Sequence, residues 1–101
     1  MENKMPPVHP GEILREELEE LTMSASALAK KLDVPVNRVT QILNERRSIT
    51  PDTALRLSRY FGTSAEFWMN LQQAYDLKTT RELKGSEIEM VVQPHEAASN
   101  S

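Results

Sequence analysis

The sequence contains no cysteine, which excludes disulfides, thiolate zinc sites and cysteine nucleophiles and suits a reducing compartment. Three glycines leave little for a loop that cradles phosphate. No apolar run approaches the ~20 residues that span a bilayer, and no charged-then-apolar leader opens the chain, so the expectation is a cytoplasmic protein with no membrane contact. Catalytic groupings are also missing: there is no Ser/His/acid arrangement on an elbow, and neither His9 nor His95 has a second ligand at metal spacing. His9 reads as a residue at the start of a helix and His95 as part of a tail. No enzyme activity, metal or cofactor is expected. What is present is 39% apolar and 27% charged residues in 101 positions, which is one small folded domain.

Charge is segregated along the chain. The net charge is −3, yet residues 23–60 carry Lys30, Lys31, Arg38, Arg46, Arg47, Arg56 and Arg59 against only Asp33, Glu45 and Asp52. Glutamates dominate the preceding segment: Glu2, Glu12, Glu16, Glu17, Glu19 and Glu20 face only Lys4 and Arg15. Residues 61–101 are again acidic. A basic centre between acidic flanks is read either as solvated helix faces or as a local polyanion-binding surface, since a partner feels the local field rather than the net charge.

Apolar spacing predicts five helices and no strand before residue 86. After a disordered lead-in over residues 1–8, Pro10 suits a first helical position, and Ile13, Leu14, Leu18 and Leu21 give an amphipathic stripe. Ser24 caps a second helix with Ala25, Leu28, Ala29 and Leu32 inward. Asp33-Val34-Pro35 interrupts it, and a third helix follows with Val39, Ile42 and Leu43 inward. Thr50-Pro51-Asp52 starts a fourth helix, which Gly62 stops. Ser64 caps a fifth whose stripe of Phe67, Trp68, Leu71, Ala74 and Tyr75 is the broadest in the chain. Gly85-Ser86 ends it at the latest. Residues 85–101 read as a flexible tail, with 88–92 either unstructured or a short strand.

The second and third helices together meet the demands of a helix-turn-helix. Ala29 is small where the helices cross, Val34 is apolar in the turn, and Val39 and Ile42 recur at i, i+3. Leu28-Ala29-x-x-Leu32-x-Val34 followed by Val39-x-x-Ile42 resembles the phage-repressor helix-turn-helix of the Cro/CI (XRE) type. His9-Pro10-Gly11-Glu12-Ile13-Leu14, Ile49 to Leu57, Tyr60-Phe61-Gly62-Thr63-Ser64 and Glu66-Phe67-Trp68-Met69-Asn70-Leu71-Gln72 resemble HigA-type antitoxins, some of whose relatives are labelled virulence-associated protein I. The resemblance spans about residues 9–84.

That resemblance implies an all-α, five-helix DNA-binding domain over 9–84 and a dimer on a palindromic double-stranded operator. It also implies an antitoxin that neutralises an mRNA-cleaving, HigB-like toxin and represses their shared operon; a stand-alone repressor of the same family would share every DNA-facing residue, and a helical adaptor that binds only protein is a third reading. By position, Val36, Asn37, Arg38, Thr40 and Gln41 fall on the recognition helix, while Ser24, Ser26, Asn44, Arg46 and Arg47 fall where the family contacts phosphate. Asp33 and Glu45 stand where relatives often carry glycine. The fifth helix has more apolar surface than four short helices need, so Phe67, Trp68, Leu71 and Tyr75 are assigned to a two-fold dimer contact, with Trp68 divided between that role and the core. The acidic first helix is read either as a solvated face, the commoner case, or, through Glu16 and Glu20, as an attractor for a basic toxin.

Overall fold

Residues 6–96, the part of the chain that the computed structural model describes, form α1 (Pro10–Leu21), α2 (Ala25–Leu32), α3 (Val36–Leu43), α4 (Pro51–Phe61) and α5 (Ala65–Val91). No strand occurs among the described residues. Four of the five helices start at a side chain that takes one of their free amides: His9 for α1, Ser24 for α2, Thr50 for α4 and Ser64 for α5. Proline follows at the first position of α1 and α4, where its missing N–H costs nothing. His9 is the unusual cap. It is buried, its Nδ1 accepts from the Gly11 amide at 2.9 Å, and its ring meets Tyr75 of α5 edge-on at 4.8 Å.

The ends of α1, α2 and α3 are closed by paired backbone bonds across a left-handed residue. At α2, for example, Asp33 N–H donates to Lys30 and Val34 N–H to Ala29. The left-handed residues are Thr22, Asp33 and Glu45, none of them glycine, at φ of 53°, 58° and 61°. Each therefore stores backbone strain on the order of 1 kcal/mol. Gly62 ends α4 in the same region of backbone space at no such cost.

One core joins the elements: Leu14 and Leu18 from α1, Leu28 and Leu32 from α2, Val39 and Ile42 from α3, Ile49 from the loop, Leu57 from α4 and Trp68 from α5. Burial of each large side chain contributes about 1.5–3 kcal/mol. Val34 in the turn packs against this cluster, as a helix-turn-helix requires. At Gly11 a Cβ would overlap the Ile42 carbonyl oxygen, so α1 lies against the backbone of α3 with no room for a side chain between them.

Two expectations are corrected. Trp68 is 1% exposed, its indole N–H donating to Thr63 Oγ1 at 3.0 Å, so it belongs to the core of the protomer and has no surface for a dimer contact. The apolar stripe of α5 was too wide to face one way: neighbours on a helix point about 100° apart, so Trp68 turns inward and Phe67, 41% exposed, turns out. The second correction concerns residues 85–91, which continue α5 to Val91 instead of forming tail or strand. One glycine costs a helix about 1 kcal/mol, and the surrounding Glu82, Leu83, Lys84, Glu87 and Met90 are good helix formers. A strand at 88–92 finds no partner strand among the described residues. This extension projects from the helical cluster and gives the molecule its 53 × 23 × 22 Å extents. Residues 6–8 have no regular structure; residues 1–5 of the expected lead-in and 97–101 of the expected tail lie outside the described residues.

Candidate nucleic-acid interface

α2 and α3 are joined by the three residues Asp33-Val34-Pro35, and the buried stripe of α3 is Val39 and Ile42. Helical periodicity then fixes the opposite edge. Val36 and Asn37 are exposed there and Gln41 is half-buried one turn on. Thr40, also half-buried, donates its hydroxyl back to the Asn37 carbonyl at 3.3 Å. An amide carries a donor and an acceptor side by side and can pair with adenine in the major groove, and the Val36 methyls suit a thymine methyl.

Around this edge the candidate anchors divide. Arg46 and Arg47 are exposed on the loop between α3 and α4, and among the described residues their side chains make no ion pair or hydrogen bond. The loop that holds them is fixed at its start by bonds from Glu45 N–H to Ile42 O and from Arg46 N–H to Gln41 O. Asn44 is exposed beside them. Ser24 and Ser26 lie at the exposed start of α2, where the Ser24 hydroxyl accepts from the Ala27 amide at 3.1 Å. A helix start of this kind favours an anion.

Arg38 is placed differently from its expected neighbours. Its guanidinium donates to Asp52 Oδ2 at 2.6 Å, tying α3 to the start of α4. Arg56 donates to the same oxygen at 2.8 Å and also to the Leu32 and Asp33 carbonyls at the end of α2. The bond from Arg56, then that from Arg38, holds the Asp52 carboxyl below its ordinary value of 3.8, and Asp52 in turn raises Arg56. Of the arginines in the basic segment, two are thus engaged in holding helices together.

Structure adds residues that the sequence reading did not single out for a role. Arg15 donates to the Leu43 carbonyl at 3.0 Å, closing the end of α3 from α1. Gln72, 4% exposed, accepts from the Ile49 amide at 2.7 Å through Oε1 and donates to Asp76 Oδ1 at 2.9 Å. The i, i+4 spacing of Asp52 and Arg56 was a readable signal for their pairing. The same spacing marks Gln72 and Asp76, but nothing local marks the bonds of Arg15 to Leu43 and of Gln72 to Ile49, whose partners lie 28 and 23 residues away. Glu16 and Glu20 of α1 are exposed and, among the described residues, unpaired.

A family model described as helix-turn-helix matches residues 14–68. Virulence-associated protein I of Dichelobacter nodosus is 56% identical over 85 residues, covering 83% of this chain and 79% of the relative. An addiction module antidote protein of the HigA family from Coxiella burnetii superposes with a TM-score of 0.87 at 60% identity, over 90% of this chain and all of that one. The Pseudomonas aeruginosa antitoxin HigA, solved with the higBA promoter, superposes with a TM-score of 0.85 at 50% identity, over 87% of this chain and 97% of that one.

Proposed function

Because this chain belongs to the helix-turn-helix family, among the HigA-type antitoxins, we propose that it represses its own operon as a homodimer on a palindromic operator and neutralises a HigB-like toxin. One observation carries the DNA reading: an open polar edge on α3 lies next to two arginines with no partner among the described residues. The relative from P. aeruginosa, solved with its promoter, supports the same reading. In this proposal α3 enters the major groove, Asn37 and Gln41 pair with base edges, and Val36 meets a thymine methyl. Arg46, Arg47, Asn44, Ser24 and Ser26 hold phosphates and set the register without reading sequence. Arg38 acts one step back, holding α3 against α4 through Asp52.

A single recognition helix reads only a few base pairs, so two protomers about 34 Å apart are needed for selectivity. Phe67, exposed on α5, supplies the dimer contact, with Leu71, half-buried against the core, and Tyr75, half-buried against His9, at its edge. The toxin is basic, as an RNA-binding enzyme is, and is drawn to the acidic face of α1 through Glu16 and Glu20. Both partners place the protein in the cytoplasm.

The deciding experiment is operator binding to the region upstream of its own gene between ~50 and ~200 mM salt, where affinity falls steeply. Gln41→Ala relaxes preference at one base position, whereas Arg46→Ala weakens all sequences alike. Identical effects on specificity would overturn the assignment of α3. Phe67→Glu yields a folded monomer by sedimentation, while Trp68→Glu unfolds the protomer. Reversing Glu16 and Glu20 together slows capture of the toxin encoded beside it; an unchanged association rate removes that part of the proposal.

A further inference from the structure

The loop carrying Arg46 and Arg47 is only seven residues long, from Asn44 to Thr50, and it is tied at both ends by different means. Its start is closed from within, by the bonds of Glu45 and Arg46 back to α3. Its end is held from outside. The Ile49 side chain is buried in the core and its amide donates to the Gln72 side chain of α5. Between the Arg46 amide and the Ile49 amide stand just Arg47 and Ser48. Gln72 is itself held by Asp76, so its acceptor oxygen faces Ile49 and its amide faces the carboxylate.

Resting on the DNA reading above, we infer that Gln72 is the positioning residue of the phosphate anchors: from the first turns of α5 it sets where Arg46 and Arg47 stand relative to the recognition edge. The physical case is one of satisfaction. A buried amide without an acceptor costs on the order of 1–3 kcal/mol. No other acceptor takes the Ile49 N–H among the described residues. Removing Gln72 therefore drives the end of the loop to open toward water, and the two arginines no longer share one geometry. They then fail to meet their phosphates in register, although neither arginine has been altered. The same link joins the DNA-facing loop to the helix that carries the dimer contact.

The test measures operator affinity against salt concentration for the intact protein, together with hydrogen exchange across residues 46–49. Gln72→Leu speeds exchange in that loop and flattens the salt dependence by about 0.9 in slope for each phosphate that is no longer held. Should that variant not fold, Gln72→Asn, whose amide falls one methylene short of Ile49, takes its place. Asp76→Ala leaves Ile49 its acceptor and keeps the wild-type slope. The pair Gln72→Glu/Asp76→Asn leaves the Ile49 amide its acceptor and reverses only the bond between positions 72 and 76, where the new amide donates to the new carboxylate, and it restores slope and exchange together. A Gln72 variant that exchanges rapidly in the loop yet keeps the wild-type slope overturns the inference, as does a double variant that fails to restore it. If the unaltered protein shows no salt-dependent binding, the DNA reading itself has failed, which the wild-type control reveals separately.

Discussion

Two groups of arginines in the basic segment have opposite fates. Arg38 and Arg56 converge on one oxygen of Asp52, and Arg56 also closes the end of α2. Arg46 and Arg47 extend from a tethered loop and meet no partner among the described residues. The residue type is the same, and the sequence distance between the groups is less than twenty positions. What separates them is whether an acceptor lies within reach. A local excess of positive charge in a sequence is thus an upper bound on the charge a polyanion can use. Here part of it is taken up in joining α2, α3 and α4.

Substitutions sharpen this contrast most at Arg56. Arg56→Ala takes the donor from the Leu32 carbonyl and leaves Asp52 to Arg38 alone, and it lowers the midpoint of urea unfolding. The salt slope of operator binding stays where it was. The double variant Arg46→Ala/Arg47→Ala does the reverse. Its unfolding stability stays within about 0.5 kcal/mol of the parent, as surface changes do, while operator affinity falls by about tenfold or more at low salt and the slope drops. A comparable loss of stability in both variants would erase the distinction.

Glu45→Gly acts on the free group from the other side. It relieves a left-handed backbone and removes a negative charge adjoining Arg46, so stability rises by about 0.5–1 kcal/mol and operator binding tightens as well. The smallest effect comes from acid. Asp52 is held below its ordinary value, so its contribution is complete above pH 3.8 and is lost as pH falls through the lower value it has in the fold. The stability difference between the wild type and Asp52→Asn therefore closes in acid and is constant toward neutral pH. A gap that persisted at low pH would show that Asp52 acts by packing alone.

Much of this arrangement was legible because helix boundaries are decided locally. Ser24, Thr50-Pro51 and Ser64 announce starts through their own side chains, and Gly62 announces an end. The open edge of α3 followed from its buried stripe by periodicity alone. Interactions that join distant segments carried no such mark. Gln72 reads like any polar helix residue until Ile49 is placed beside it, and Trp68 joined the dimer stripe only because spacing cannot tell one flank of a wide apolar face from the other. The far end of α5 was misread for a different reason. Gly85-Ser86 is a valid stop signal, but its cost is small against the helix formers on both sides of it.

The absence of a side chain at position 11 has a mechanical corollary. With the first helix seated on the Ile42 carbonyl, no side chain stands between α1 and α3 to give way, and we expect the two helices to move as one piece. In the proposed complex any mismatch between the spacing of two such heads and the pitch of the duplex must be absorbed by the duplex. We expect bases at the centre of such an operator to influence affinity through how readily they bend and twist.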